Sequence, residues 1–169
     1  MIIDILGLGE SISQYTPSNN ISFGVNDINR FHEVDYLVCL DKPDKFPKDR
    51  RKYIENNTAK YFYTHFSEWG HVYNFRKIEL QQFYPNSCCD LDQDAIPKSC
   101  YSPFVAICLA YKMFKPNEIH LYGVDMNNHV NLNSQKDKII RHTRNLKTAL
   151  KAHNCSLAVH GNGILTHLD

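Results

Sequence analysis

The chain begins with a short apolar run that ends in two closely spaced glycines. Met1–Leu6 contains three isoleucines and is followed by Gly7-Leu8-Gly9-Glu10-Ser11. A β-branched run favours a buried strand, and the glycines after it let the backbone turn sharply with unpaired N–H groups. Such a turn binds a phosphate or a nucleotide in many proteins. The pattern therefore predicts a strand with a ligand-binding carboxyl end; the alternative is a turn that is tight for structural reasons alone.

Further short apolar runs follow, each closed by glycine or polar residues. We predict strands at Ile21–Val25, Val34–Leu40, Lys60–Thr64, Glu118–Asp125 and Cys155–Val159. Helical patterns at 46–57, 104–114 and 134–153 separate several of them. This alternation predicts an α/β fold: a doubly wound, mostly parallel Rossmann-like sheet with helices on both faces.

The length of 169 residues suits one core. We therefore predict a single Rossmann-like nucleotide-binding domain over 1–169. It contains a loop-rich insertion at about 67–99, which we interpret as a lid on the acceptor side.

Composition narrows the class of protein. Nineteen basic and eighteen acidic residues leave a formal charge of +1, so we expect no broad nucleic-acid surface. No apolar run approaches the roughly 18 residues of a membrane span, and no basic region precedes Met1–Leu6 to form a secretory signal. The six cysteines contain no CxxC pair. We expect reduced thiols, a cytoplasmic protein and no metal site; the alternative is a metal bound by Cys88, Cys89 and Cys100.

Polar residues stand at the carboxyl ends of two further predicted strands. Asn26 and Asp27 follow the second strand, where they bind a nucleotide or simply cap the segment after it. Asp125 ends a later strand and binds a ribose or a loop backbone, or caps a turn. Ser102, followed by Pro103, begins an apolar helix. We predict that these side chains meet at one edge of the sheet, because the carboxyl ends of parallel strands share an edge.

His142 is the candidate general base. It shares a helix face with Ile139 and Leu146, and an imidazole can accept a proton near neutral pH without a metal. The alternative is a structural histidine on a buried helix edge.

His129 is the reserve candidate for the general base. Other charges have two interpretations: Arg141 and Arg144 neutralise a leaving phosphate or are surface charges, and the basic cluster Lys48, Arg50, Arg51 and Lys52 is a solvated helix face.

Four of these motifs, in their order and spacing, resemble a known group of enzymes. They are Gly7-Leu-Gly-Glu-Ser11, Gly24-Val-Asn26-Asp27, Ser102-Pro103 with the buried helix behind it, and Tyr122-Gly-Val-Asp125. The pattern is similar to that of bacterial lipooligosaccharide sialyltransferases and of the MptE-like 6-hydroxymethylpterin diphosphokinase-related proteins. The similarity is distant and covers nearly the whole chain.

The resemblance implies roles for individual residues. Gly7, Gly9 and Ser11 would contact the phosphate and ribose of a nucleotide donor, Asn26 would contact the nucleotide, and Ser102 would lie near its base or phosphate. His142 would be the general base. The chain departs from the pattern at Glu10, where the families have proline, and at Asn127 and Asn133, where the sialyltransferases have tyrosines.

The sequence and the resemblance thus predict a sialyltransferase-like glycosyltransferase that uses a nucleotide-activated sugar, a CMP-sugar, without an obligatory cofactor. One alternative is a non-catalytic protein that binds or sequesters a nucleotide. Another is a diphosphotransferase, which would need Mg²⁺ on carboxylates such as Asp27 and Asp125. The acceptor is not encoded in any motif. A homo-oligomer is implied by the resemblance alone.

Overall fold

A seven-stranded parallel sheet organises the chain. The computed structural model describes residues 1–81, 90–126, 132–166 and 168. The strand order is β5-β4-β3-β2-β1-β8-β9, and all neighbouring strands are parallel. The strands of this sheet are β1 (Ile2–Leu6), β2 (Ile21–Val25), β3 (Tyr36–Val38), β4 (Tyr61–Thr64), β5 (Phe75–Lys77), β8 (Glu118–Tyr122) and β9 (Ser156–Val159). The predicted α/β class and the parallel, doubly wound sheet are confirmed.

Two helices cover one face of the sheet. Helix α2 (Ser102–Phe114) is apolar almost all round and packs on the alternate residues of β1, β2 and β8 that point to this face, including Ile5, Phe23 and Ile119. It ends at Lys115, whose φ of +47° stops the helix. Helix α3 (Leu132–Ala152) is amphipathic and buries Ile139, Leu146 and Leu150. None of the helices within the described residues is both long and apolar enough to cross a membrane.

The opposite face of the sheet is covered by one α-helix and several short 3₁₀ turns. Helix α1 (Lys48–Glu55) buries Ile54 in a second core over β3 and β4, beside Phe62 and Trp69. Short 3₁₀ turns, rather than α-helices, follow β1, β2 and β4; they span Glu10–Gln14, Ile28–Arg30 and Ser67–Trp69. The predicted presence of helices on both faces holds, but on this face only α1 is an α-helix among the described residues.

The segment predicted as a loop-rich insertion contains more pairing than expected. It supplies edge strand β5 and a separate parallel pair, β6 (Leu80–Gln81) with β7 (Ile96–Pro97). The Lys112 ammonium on α2 donates to the backbone carbonyls of Gln93 and Asp94, which ties the end of this segment to the helix. Its role as a lid stays a prediction.

The two edges of the main sheet differ in chemistry. Edge strand β5 carries Arg76 and Lys77, whereas edge strand β9 has no charged residue. In β9 the N–H groups of Ser156 and the following alternate residues point to β8, as shown by the bonds from Ser156 to Asn117 and from His160 to Leu121. The backbone groups of Leu157 and Val159 therefore point outward from the sheet.

Candidate functional site

The glycines after β1 pack directly against the end of β8. The Gly7 N–H donates to the Tyr122 carbonyl and the Gly9 N–H to the Gly123 carbonyl, each at 2.7 Å. A Cβ on Gly7 would lie 2.3 Å from the Gly123 oxygen, so only glycine allows this approach. Our expectation of unpaired N–H groups is therefore wrong for these two residues. Their close packing explains both glycines, and contact with a nucleotide stays a prediction.

Ser11 and Asp125 form a buried link next to these glycines. The Ser11 N–H donates to Asp125 Oδ2 at 2.8 Å, and the Gly123 N–H donates to Ser11 Oγ, also at 2.8 Å. The loop at Gly161–Gly163 closes over the same carboxylate, since a Cβ on Gly161 would lie 2.4 Å from Asp125 Oδ1. Of the interpretations of Asp125, the observed contact is the one with a loop backbone.

Asn26 and Ser102, separated by 76 residues, meet at the carboxyl edge. Ser102 Oγ lies 3.4 Å from Asn26 Oδ1. Asn26 has a φ of +55°, and its N–H donates to the Val38 carbonyl, so the backbone leaves β2 in a sharp turn. Ser102 is the first residue of α2, whose first turn has no acidic side chain. The first N–H groups of an α-helix have no acceptor within the helix, so α2 directs its positive end at Asn26.

Asp27 points away from that junction, into the half of the structure covered by α1. Its buried carboxylate accepts two hydrogen bonds from Arg50, at 2.8 and 2.6 Å, and one from Arg30 at 3.3 Å. Burial alone would raise the pKa of Asp27, but the hydrogen bonds and charge of Arg50 bring it below its ordinary value. Our interpretation of Arg50 as part of a solvated helix face is therefore wrong. Asp27 is held in an ion pair, and a nucleotide contact by it stays a prediction.

His142 lies beside the beginning of α2. Its Nδ1 is 2.8 Å from Ser99 Oγ, and its ring centroid is 6.0 Å from that of Phe104. His142 is ten residues from the end of α3, a distance of about 15 Å along the helix, which matches the length of β8 and puts the imidazole level with the carboxyl edge. The side chain is 1 % exposed.

The electrostatic environment keeps this imidazole neutral. Burial, helped by the positive charges of Lys138 and Arg141, lowers the pKa of His142 to about 4. At neutral pH the ring is therefore in its neutral form, and the low pKa makes it a weaker base than an ordinary histidine. Because the ring is also buried, any proton acceptor role requires a substrate hydroxyl to reach the interior next to α2.

Sequence reasoning missed the segment that holds His142. Ser99 contacts the imidazole, and the Tyr101 hydroxyl is hydrogen-bonded to Thr143 Oγ1, so residues 99–102 are joined to α3 at two adjacent positions. Both Ser99 and Tyr101 are buried. Their proximity in sequence to Ser102 was the only available signal.

The structure thus divides the predicted residues into neighbouring groups. Asn26 and Ser102 meet at the start of α2, with His142 beside Phe104 in the same helical turn. Ser11 and Asp125 lie with Gly7 and Gly9 in the buried link between β1 and β8. Asn127 and His129 lie outside the described residues, as do Cys88 and Cys89, and the side chain of Asn133 is not described.

Two surface cavities lie elsewhere. One, of about 610 Å³, is at the amino edge of β2 and β3 and is lined by Ser18, Asn20 and Asp35 among others. The other, of about 400 Å³, lies between α2 and the segment at Ile96. In the described part of the chain, no three His, Cys, Asp or Glu side chains are grouped so that they could hold a metal ion.

Comparison with known proteins gives one structural relative. The sialyltransferase CstII from Campylobacter jejuni, solved in complex with the substrate analogue cytidine-5'-monophosphate, matches 94% of this chain and 78% of its own chain. The TM-score is 0.50 and the sequence identity is 10%. The two proteins share a fold. No family model matches the chain, and no curated protein matches it at the sequence level.

Proposed function

We propose that this protein is a glycosyltransferase of the sialyltransferase type that takes its sugar from a CMP-sugar. The observation that carries the proposal is the convergence of Asn26, Ser102 and a neutral His142 on the first turn of α2. The shared fold with a sialyltransferase that binds CMP supports the choice of nucleotide. The proposal thus places a nucleotide-binding site and a proton acceptor together at the first turn of α2.

The chemistry follows from these groups. His142 accepts the proton of an acceptor hydroxyl while that oxygen bonds to the anomeric carbon of the sugar. The bond between this carbon and the phosphate oxygen breaks, and its electron pair leaves with CMP. The positive end of α2 stabilises the phosphate, because the N–H groups of its first turn have no acceptor within the helix and the turn has no acidic side chain. The Asn26 amide and the Ser102 hydroxyl hold the nucleotide.

Diphosphate transfer is a weaker candidate than sugar transfer, because the carboxylates that would bind its Mg²⁺ are already engaged in other contacts. Asp27 is occupied by Arg50 and Arg30, and Asp125 is buried against Ser11 and Gly161. The two side chains also belong to different parts of the structure. This pair does not fit a shared Mg²⁺ site, which prefers several free oxygen ligands together with waters.

Calorimetry and donor hydrolysis test the proposal. We expect the protein to bind CMP more tightly than UMP, GMP or AMP, and to hydrolyse CMP-N-acetylneuraminic acid slowly without an acceptor. His142→Gln should lower turnover by about 10²-fold or more while CMP still binds, because a general base contributes about that much. His153→Gln is the matched control: this histidine follows α3 and contacts Asp92.

Each outcome has a clear meaning. If the wild type binds CMP but shows no turnover, the proposed function changes from a transferase to a non-catalytic nucleotide-binding protein. An equal loss of activity in the His142 and His153 variants would show that His142 is not the general base. No binding of any of the four nucleotides would overturn both the transferase and the binding protein.

A further inference from the structure

The charge of this protein is concentrated on one helix. Six of the chain's 19 basic residues and one of its 18 acidic residues lie in α3, so the helix has a formal charge of +5 while the whole chain has +1. The rest of the molecule is therefore net acidic. A distribution of this kind produces a strongly positive surface on a protein that is almost neutral overall.

Five of the six cations are exposed and have no carboxylate partner among the described residues. We call Lys136, Lys138, Arg141, Arg144 and Lys151 the α3 cation stripe. The ion pairs of the described chain involve Arg30, Lys42, Arg50, Arg51 and three histidines, and none includes a member of the stripe. The sixth cation, Lys147, donates to the Leu168 carbonyl.

The contrast with α1 shows that this arrangement is not general. On α1, Arg50 pairs with Asp27, and Arg51 pairs with Glu55 one turn further on. On α3, the single acidic residue Asp137 is one turn from Arg141, but no ion pair joins them. The positive charge of α3 is thus left available to a partner.

Three members of the stripe share one side of the helix. At 100° per residue, Arg141, Arg144 and Lys151 lie within about 80° of the helix circumference, opposite the buried Ile139, Leu146 and Leu150. Lys138 and Lys136 flank this sector, one on each side. From Lys136 to Lys151 the stripe extends about 22 Å along the surface. The apolar side of the helix is already in the core, so it has nothing to insert into a lipid phase.

We propose that the α3 cation stripe docks the protein on an anionic lipid surface by electrostatic attraction, without insertion. The phosphates of such a surface form a planar array that Arg141, Arg144 and Lys151 can contact together from one side of the helix, and each Lys or Arg near the surface strengthens adsorption about fivefold. The exposed residues of α3 include no aromatic side chain on which the bases of a single strand could stack.

Vesicle sedimentation tests this docking. We expect the full chain to sediment with vesicles of phosphatidylcholine and phosphatidylglycerol in a 70:30 ratio at low salt, and not with pure phosphatidylcholine. Because insertion is absent, about 0.5 M NaCl should release the bound protein. The triple variant Arg141→Gln, Arg144→Gln, Lys151→Gln should lower the partition coefficient about 100-fold, at about fivefold per charge.

A matched variant separates the stripe from net charge. Lys45→Gln, Lys48→Gln, Lys52→Gln removes three exposed charges near α1 and should change partitioning by less than about fivefold. Circular dichroism confirms that both variants are folded. An equal loss in the two variants, or no binding of wild type to the anionic vesicles, would overturn the proposal. So would binding of a DNA oligonucleotide through the stripe in place of vesicles. The test does not depend on the proposed transferase activity.

Discussion

At the scale of single residues, the environment of His142 decides its protonation state. The imidazole is buried between α3 and the start of α2, contacts Ser99 Oγ and has a pKa of about 4. The sequence placed His142 on the inner face of its helix correctly, because Ile139 and Leu146 define that face. It could not indicate the contact with Ser99, since a hydrogen bond across 43 residues depends on tertiary packing.

This low pKa makes stability depend on pH. Below the ordinary histidine value of 6.5, the unfolded chain takes up a proton that folded His142 accepts only near pH 4. The free energy of unfolding should therefore fall as the pH decreases from about 6.5 to about 4, by at most about 3 kcal/mol from this residue. Urea titrations of wild type and His142→Gln across this range measure the effect. Parallel curves for the two proteins would contradict it; His153→Gln should keep the wild-type slope.

At the scale of elements, α1 is attached to the end of β2 by an ion pair that the sequence did not reveal. The charged segment was predicted to be helical, and α1 does form within it, over Lys48–Glu55. Its polarity suggested that all four cations face solvent. Only the fold brings Asp27, 23 residues earlier, into contact with Arg50.

The short strands β5, β6 and β7 were not predicted for a related reason. They have two or three residues each, so pairing with a neighbouring strand stabilises them and their own sequence pattern is too short to indicate a strand.

The two arginines of α1 provide a comparison within one helix. Arg50→Gln leaves the fully buried carboxylate of Asp27 without its main partner and should lower the free energy of unfolding by about 2 to 3 kcal/mol. Arg51→Gln removes a half-exposed pair with Glu55 and should cost less than about 1 kcal/mol. Chemical denaturation at pH 7 distinguishes them. A similar cost for both variants would show that Asp27 does not depend on Arg50.

At the scale of the whole molecule, Asp125 joins three distant parts of the chain. Its carboxylate accepts from Ser11 after β1, its backbone carbonyl accepts from Ile164, and Gly161 packs on its side chain. The sequence correctly predicted that strand ends would converge at the carboxyl edge, because parallel strands require it. It did not predict that the glycine turn would be closed by β8, since the approach of Gly7 to Gly123 depends on strand order.

Removal of this carboxylate should loosen the last segment of the chain. We expect Asp125→Ala to lower the free energy of unfolding by about 1 to 3 kcal/mol, because the buried Ser11 N–H loses its acceptor. Amide exchange in residues 161–166 should speed up. Asp90→Ala is the control: Asp90 also accepts from a backbone N–H, that of Asp92, but both residues are exposed to water and the change should cost less. Unchanged exchange in Asp125→Ala would contradict the link.

The uncharged edge at β9 has a practical consequence for handling the protein. Leu157 and Val159 direct backbone donors and acceptors away from β8, with no strand partner in the part of the chain that the structure describes. At the β5 edge, Arg76 and Lys77 make copies repel one another. Of the two sheet edges, the β9 edge is therefore the one that favours self-association in concentrated stocks. A lysine at the outer end of β9 is the first change to make for storage, spectroscopy or crystallisation at high protein concentration.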